Sequence, residues 1–212
     1  MQVYTDILTE GQKKLLSKLQ HIKNEGFYLA GGTGLALLLG HRTSADFDFY
    51  SQSPFDVKKV SSQIKQSVKN IQPIQIQEDT LILKCEGIIT SFFVYPYPLL
   101  RPLIDLKEVF VASLEDISAM KLVVIIQRGT KRNFIDVYYL IKRLGLDYML
   151  KLSERKYEEF NPYLALQELL YFEDAEKERL SHRKIKIKEP SDWENVKDYI
   201  VAEVKRIKEK RI

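Results

Sequence analysis

The sequence is poor in the residues that support disulfide and zinc chemistry. Its 212 residues include one cysteine, Cys85, and three histidines. A single cysteine excludes an intramolecular disulfide, and Cys85 lies in a strand-like segment, which favours a small buried apolar side chain. No spacing of histidine, cysteine and acidic residues is typical of a zinc site. The composition therefore gives no support to a disulfide-rich or zinc-dependent protein.

Long apolar runs and a strong charge imbalance are also missing. No apolar run approaches the ~20 residues of a membrane span. The N-terminal segment MQVYTDILTE has no basic stretch followed by an apolar one, which a secretory signal would show. The formal net charge of +4 permits a polyanionic partner without requiring one. We therefore expect a cytoplasmic protein that does not associate with membranes.

The apolar content is sufficient for a folded interior, since 45% of the residues are hydrophobic. The pattern changes along the chain from strand-like and helical segments to helical segments alone. It predicts an α+β fold, in which a mixed β-sheet with flanking helices is followed by a helical C-terminal half. We place the two domains at residues 1–105 and 106–212.

Hydrophobic periodicity and turn residues predict the individual elements. The predicted strands are residues 27–30, 46–51, 71–77, 80–86 and 88–97. The predicted helices are residues 4–23, 34–40, 55–69, 114–127, 131–144, 148–155, 162–170 and 193–210. The basic segment RLSHRKIKIKEP, residues 179–190, is predicted to be a loop.

A glycine turn follows the first predicted strand, in the segment YLAGGTG. Gly31 and Gly32 would form the turn, and Thr33 would cap the helix that follows. Such a turn is a potential anion site, because glycines let a phosphate approach the backbone and the first N–H groups of the helix point toward it. The alternative is that the two glycines serve packing alone.

Acidic and aromatic residues alternate in the segment DFDF, residues 46–49. In a strand, Asp46 and Asp48 would project from one face, with Phe47 and Phe49 in the core behind them. Two adjacent carboxylates repel each other unless a cation lies between them, and Mg²⁺ prefers oxygen ligands. The alternative is an amphipathic edge strand with solvated acids. One short helix joins the glycine turn to the acids, so we expect both at the C-terminal ends of two strands, facing one crevice.

Two basic residues, one in each half of the chain, are candidate ligands of an anion. Lys121 lies inside the apolar helix ISAMKLVVIIQ, where an unpaired ammonium would be costly. It is expected to reach a cleft or meet an anion, unless it extends along the edge of the core. Arg42 would bind a phosphate or pair with Asp46.

Asn133 and Asp136 share one face of a later helix, in the segment RGTKRNFIDVYYL. The residues leave several roles open for Asp136: organisation of a phosphate site, support of a metal, pairing with Lys121, or a charge favoured by the helix dipole. The neighbouring basic turn would contact RNA or be a solvated surface. It consists of Arg128, Lys131 and Arg132.

The glycine turn GGT followed by RTSADFDFY resembles the signature of the DNA polymerase β-like nucleotidyltransferase superfamily. Together with LGHR, RGTKRNFIDVYYL, YPYPLL and LLYFEDAE, it most resembles the AbiEii/AbiGii nucleotidyltransferase toxins. The resemblance implies a nucleotidyltransferase core at residues 1–105. It also implies that an NTP binds at Gly31, Gly32, Thr33, Arg42 and Lys121. Two Mg²⁺ ions would be held by Asp46 and Asp48, and Asp136 matches one acid of an Asp-x-x-Asp motif in the family.

The sequence departs from the family pattern at two places. Asn133 occupies the first position of the Asp-x-x-Asp motif. Polymerase-type sites also carry a third carboxylate on a later strand, but the matching segment GIITSFFVYPY contains no acid. Ser91 lies roughly where that acid would be, and Glu86 and Asp79 are the nearest possible substitutes. Loss of the third acid would weaken one metal site or remove a general base.

The expected function is transfer of a nucleoside monophosphate (NMP) from an NTP to an acceptor hydroxyl. The family resemblance suggests RNA, particularly a tRNA 3′ end, as the acceptor, and a cognate antitoxin as a partner. Two alternatives stay open at this point. One is a catalytically weak or inactive nucleotide-binding regulatory module, motivated by the missing third acid and by Asn133. The other is a nucleotidyltransferase that modifies a protein.

Overall fold

The structure is a computed structural model that describes residues 2–178, 186–187 and 192–210. Apart from Lys186 and Ile187, the predicted basic loop at 179–190 lies outside the described residues. The chain divides into two compact units, Met1–Ser113 and Leu114–Ile212. This division falls later than the boundary after residue 105 that the sequence suggested, because two short strands between residues 104 and 111 belong to the sheet of the first unit.

The first unit contains a mixed seven-stranded sheet, as the fold class predicted. Its strands are β1 (Tyr28–Leu29), β2 (Phe47–Ser51), β3 (Ile71–Gln77), β4 (Thr80–Cys85), β5 (Ile88–Val94), β6 (Ile104–Asp105) and β7 (Phe110–Val111). The spatial order is β3-β4-β5-β2-β1-β7-β6. The central strand β2 runs antiparallel to β1 and parallel to β5. The sequence did not predict β6 and β7, because two residues are too few to show an alternating pattern.

The helices of the first unit are α1 (Glu10–Lys18), α2 (Gly31–Leu39) and α3 (Val57–Ser67). The single helix predicted over residues 4–23 is wrong. Short 3₁₀ segments at Thr5–Ile7 and Gln20–Glu25 flank α1 instead. The interruption has a local cause: Thr9 is extended and forms a capping box with Gln12, which starts a new helix at Glu10.

Aromatic side chains fill the core on one face of the sheet. Phe47 and Phe49 are fully buried, and Phe92 stacks on Phe49 at 5.2 Å between ring centroids. Asp48, between the two phenylalanines, is only half-buried. The alternation predicted from the DFDF segment is therefore confirmed. Cys85 is buried as expected, and burial raises the pKa of its thiol to about 11.

The second unit is helical in the part of the chain that the structure describes. Its helices are α4 (Leu114–Gln127), α5 (Lys131–Leu144), α6 (Leu146–Lys156), α7 (Pro162–Glu168), α8 (Glu173–Lys177) and α9 (Trp193–Lys210). The bounds of α4, α5 and α9 are those that the sequence predicted, whereas the five-residue α8 was not predicted. Among the described helices, none has both the length and the apolar character needed to cross a membrane.

A buried ion pair joins α4 to α6. Lys156 Nζ lies 2.8 Å from Asp116 Oδ1, and both side chains are 0% exposed. Burial of a single charge in such a place would be very unfavourable, so each side chain depends on the other. The sequence analysis did not single out either residue.

Candidate active site

Helix α2 begins at Gly31, directly after β1. Gly34 N–H donates to the Ala30 carbonyl oxygen at 2.9 Å, which is the first hydrogen bond of the helix. The N–H groups of Gly31, Gly32 and Thr33 therefore have no acceptor within the helix, and they form its positive end. The predicted turn at Gly31 and Gly32, with a helix from Gly34, is wrong. The change of direction occurs at Gly31 itself, whose φ of +61° suits glycine.

Thr33 lies inside the first turn of α2 and is not its cap. Its side chain is buried, its hydroxyl donates to the Asp46 carbonyl oxygen, and it hydrogen-bonds with Ser44 Oγ at 2.7 Å. The Ser44 carbonyl in turn accepts a hydrogen bond from Gln12 Nε2 at 2.8 Å. Thr33 therefore ties the start of α2 to the segment that leads into β2. Its backbone N–H still belongs to the end of the helix.

Asp48 lies next to the start of α2. Ala30 N–H donates to the Asp48 carbonyl oxygen at 3.1 Å, which continues the pairing of β1 with β2. A methyl group added at Gly31 would lie 3.0 Å from Asp48 Oδ2. The carboxylate thus fills the space that the absent side chain of Gly31 leaves open.

The ends of β1 and β2 that lie side by side are not the two C-terminal ends that the sequence suggested. Helix α2 reverses the chain, so β1 and β2 are antiparallel. The C-terminal end of β1 therefore meets the N-terminal end of β2, and the predicted crevice at the C-terminal ends of both strands is wrong. The glycines and the acids still adjoin, because Gly31 follows β1 directly and Asp46 comes directly before β2.

Asp46 directly precedes β2 and Asp48 lies on it, and residues two apart along a strand project from the same face. Both are half-buried, with the buried Phe47 between them facing the core. One or two carboxylates together with substrate phosphates are a usual ligand set for Mg²⁺, so these residues fit that ion. Among the described residues there is no group of three or more His, Cys, Asp or Glu side chains arranged to hold a metal.

Arg42 covers the second residue of α2. A methyl group added at Gly32 would lie only 2.6 Å from Arg42 Nη2. The guanidinium is buried, and its Nη1 donates to the Thr43 carbonyl oxygen at 2.9 Å. A fixed positive charge therefore lies beside the backbone N–H groups at the start of the helix.

The place of the expected third acid is occupied by serine. Ser91 on β5 is the register partner of Asp48 and is buried. Glu86 forms an ion pair with Lys18 after the end of β4. Asp79 lies in the turn between β3 and β4, and β5 separates β4 from β2. Neither acid takes the position beside Asp48.

Tyr50 is a neighbour of the acids that the sequence analysis did not select. It lies two residues after Asp48 and so on the same face of β2. Burial, and after it the negative charge of Asp48, raises the pKa of Tyr50 well above its ordinary value. Its hydroxyl therefore stays protonated at physiological pH. The alternation that identified the two aspartates extends to Tyr50, so it could also have identified Tyr50 as their neighbour.

Within the second unit, Lys121 meets an anion, which is one of the outcomes expected for a lysine in this apolar helix. Lys121 Nζ lies 2.6 Å from Asp136 Oδ2, and the two side chains are 8% and 0% exposed. Asn133 Oδ1 accepts a second hydrogen bond from Lys121 at 3.4 Å. Of the roles left open for Asp136, pairing with Lys121 is the one observed. A role of either residue at the nucleotide stays a prediction.

The basic turn before α5 is largely engaged within the second unit. Arg132 pairs with Glu178 at 3.5 Å, and the same glutamate accepts the Lys131 backbone N–H at 2.8 Å. Lys131 Nζ lies 4.6 Å from the centre of the Trp193 ring. Arg128 is exposed. These contacts favour a structural role for Lys131 and Arg132 over contact with RNA.

We expect the Gly31→Ala substitution to impair nucleotide binding beyond its cost in stability. A positive φ disfavours alanine by about 1–2 kcal/mol, and the new methyl group would also displace the Asp48 carboxylate. Gly26→Ala is a matched control, because Gly26 has a φ of +80° but nothing within 4 Å of an added methyl group. Urea denaturation and NTP titration of both variants measure the two effects. Equal nucleotide affinity in the two variants would contradict a role of Gly31 in the site.

Several solved structures share the fold. JHP933 from Helicobacter pylori superimposes with a TM-score of 0.60 at 17% identity, covering 96% of this chain and 94% of that chain. MenT4, a nucleotidyltransferase toxin from Mycobacterium tuberculosis H37Rv, superimposes with a TM-score of 0.56 at 15% identity, covering 91% and 80%. At these identities the likeness concerns the fold alone, and it confirms the predicted fold class.

The sequence comparisons identify the family. An uncharacterized protein of Aquifex aeolicus (strain VF5), aq_aa25, is 39% identical over 185 residues, which cover 84% of this chain and 86% of that protein. Residues 14–83 and 94–207 match the family described as nucleotidyl transferase AbiEii toxin, type IV TA system. The matched segments include the start of α2, both aspartates and the Lys121–Asp136 pair. The chain therefore belongs to the AbiEii nucleotidyltransferase toxin family of type IV toxin–antitoxin systems.

Proposed function

We propose that this protein transfers an NMP from an NTP to an acceptor hydroxyl, with a divalent cation held by Asp46 and Asp48. The acceptor oxygen bonds to the α-phosphorus, the bond between the α- and β-phosphates breaks, and pyrophosphate leaves. One observation carries the proposal. The Asp48 carboxylate lies against Gly31, at the N-terminal end of α2. The helix end that would bind an anion and the Asp48 carboxylate therefore lie side by side.

This arrangement is electrostatically unfavourable for a phosphate alone. The helix N–H groups attract a phosphate, whereas the neighbouring carboxylate repels it. A divalent cation between carboxylate and phosphate removes the conflict, and Mg²⁺ accepts such mixed oxygen ligands. When bound, Mg²⁺ supplies charge neutralisation at the phosphates and activation of the attacking hydroxyl. The two-ion site implied by the family resemblance would have Asp46 and Asp48 as its acids, since Ser91 replaces the third.

The chain itself binds and orients the nucleotide. The backbone N–H groups at Gly31 and Gly32 hold phosphate oxygens, and the missing side chains allow this close approach. Arg42 adds positive charge beside them. Thr33 keeps the segment before β2 attached to α2, which maintains Asp46 at the same end of the sheet. Catalysis of this kind depends mainly on positioning and charge.

The acceptor that we propose is the 3′ end of a tRNA, and the setting is the cytoplasm, where NTPs and tRNA are present. A cognate antitoxin is the expected partner, as membership of a toxin–antitoxin family implies. Lys121 stays a predicted ligand of the nucleotide phosphates, oriented by Asp136. The mildly basic composition, with a net charge of +4, is compatible with an RNA acceptor but does not require one.

The experiment is an incubation of the folded protein with each common NTP, labelled at the α-phosphate, together with total tRNA and Mg²⁺. We expect label in the tRNA, and none when EDTA removes the metal. Label found in a protein instead of the tRNA would show that the acceptor is a protein. NTP binding by calorimetry without any product would favour a nucleotide-binding regulatory module, for which Ser91 opposite Asp48 is the motivating observation. Absence of both transfer and NTP binding would overturn the proposal.

A further inference from the structure

We propose that Tyr97, supported by Tyr95, stacks on an unpaired base of the acceptor RNA. This inference rests on the proposed function, because the reacting end of the RNA has to lie at Asp46 and Asp48. It assigns an RNA contact to a segment outside the nucleotide site. The ligand class is a single-stranded nucleic acid segment that continues from the acceptor 3′ end.

A row of aromatic side chains extends along the sheet from the two acids. Tyr50 follows Asp48 on β2, and its register partner Phe93 follows Ser91 on β5, so all four side chains share one face. The ring centroids of Tyr50 and Phe93 are 5.7 Å apart, and those of Tyr50 and Tyr95 are 5.4 Å apart. The Tyr97 ring lies 4.8 Å from that of Tyr95. The row therefore begins at the catalytic acids and ends at Tyr97.

The end of this row is held rigidly. Tyr95 N–H donates to the Ser51 carbonyl at 2.7 Å, Tyr97 N–H to the Tyr95 carbonyl at 2.8 Å, and Gln52 Nε2 to the Tyr97 carbonyl at 3.1 Å. Pro96 and Pro98 on either side of Tyr97 restrict the backbone further. A ring presented in this way loses little freedom when a ligand stacks on it.

Tyr97 is the exposed member of the row. Its residue exposure is 40%, whereas Tyr50, Phe93 and Tyr95 are half-buried. The inner rings support the outer one, since Tyr95 packs against Tyr97 at an interplanar angle of 60°. Exposed aromatic rings beside a nucleic-acid path are the usual stacking platforms for unpaired bases, and they accept any base.

The outer rings lie away from the acids along the sheet. Tyr95 lies four residues beyond Ser91, the register partner of Asp48, so the outer rings are about 13 Å further along the strand direction. An RNA chain whose 3′ end reacts at the acids continues beyond them, so an upstream base can lie at this distance. Comparison of NTP affinity with RNA affinity in the Tyr97 variants separates this contact from a contact with the NTP.

The test measures RNA binding separately from transfer. A short single-stranded RNA with the sequence of a tRNA 3′ end is titrated by fluorescence anisotropy into protein that carries Asp48→Asn, so that no product forms. We expect Tyr97→Ala to weaken RNA binding by about 5- to 150-fold, the effect of losing one stacked base. Tyr97→Phe and Tyr97→Trp should retain RNA affinity, because each keeps an aromatic face. NTP affinity should be the same in all of these variants.

Tyr163→Ala is the matched control, because Tyr163 is 70% exposed but lies on α7 in the second unit. It should leave RNA affinity unchanged. Wild-type RNA affinity in Tyr97→Ala, or an equal loss in Tyr163→Ala, would overturn the stacking proposal even if the wild-type protein transfers NMP. RNA binding that depends on the Tyr97 ring, in a protein that transfers nothing, would support the platform and count against the proposed activity alone.

Discussion

In the Asp48→Asn variant we expect the rate of NMP transfer to fall by about 10³-fold. A metal site supplies several kcal/mol of charge stabilisation in the transition state, and each 1.36 kcal/mol corresponds to a tenfold change in rate. Asparagine has nearly the same shape as aspartate but lacks its charge, so the metal would be lost while the packing against Gly31 stays. The measurement is single-turnover transfer of labelled NMP to tRNA at saturating Mg²⁺.

Asp79→Asn is the matched control for this charge removal. Asp79 lies in the β3–β4 turn with a φ of +61°, a conformation that asparagine also adopts readily. The control should therefore retain both activity and stability. Thermal unfolding should show that Asp48→Asn is folded, and Asp46→Asn should lose activity as well. Wild-type transfer by Asp48→Asn would refute the assignment of a metal site to these two aspartates.

The Asp116→Asn variant should lose about 3–5 kcal/mol of unfolding free energy, the cost of leaving one charge of a buried pair without its partner. Lys156 and Asp116 are both fully buried and lie 2.8 Å apart. An asparagine at position 116 would remove the charge that lies 2.8 Å from the Lys156 ammonium between α4 and α6. Urea denaturation monitored by circular dichroism measures the change in the free energy of unfolding.

Two further variants test whether the stability lost in Asp116→Asn comes from the loss of the buried ion pair. Asp147→Asn removes the charge of an exposed pair on α6, where Lys151 and Asp147 side chains are 62% and 47% exposed. It should cost less than about 0.5 kcal/mol. The double variant Asp116→Leu, Lys156→Met should recover much of the stability lost in Asp116→Asn, because apolar side chains of similar size need no counter-charge. A loss in Asp116→Asn no larger than in Asp147→Asn would show that the buried pair is not required.

Local patterns predicted the elements that are long and regular. The helices α4, α5 and α9 have their predicted bounds. In α5 and α9 the helical period extends over 14 or more residues, whereas α4 is a long, mostly apolar segment. The alternation of acid and aromatic residues placed Asp46 and Asp48 opposite the core. The resemblance to polymerase-type sites placed Ser91 roughly where the third acid would be. The position of Lys121 in the apolar α4 indicated that its charge would need a cleft or an anionic partner, and the structure shows the partner Asp136.

Other features have no signal in a periodic pattern. The start of α2 at Gly31 depends on one left-handed residue, which periodicity does not report. The antiparallel pairing of β1 and β2 is set by the path of α2, whereas the sequence suggested two parallel strand ends. The partners Asp116 and Lys156 lie 40 residues apart, so no local signal connects them.

The sequence by itself determined the residue types that can bind a nucleotide and a metal, and the strand face on which the two acids lie. Side-chain direction follows from local backbone geometry, which a few neighbouring residues set. Only the tertiary structure decided that Asp48 lies against Gly31, that Arg42 covers Gly32 and that serine faces Asp48. These contacts depend on strand order and register, which result from packing of the whole sheet rather than from any one segment.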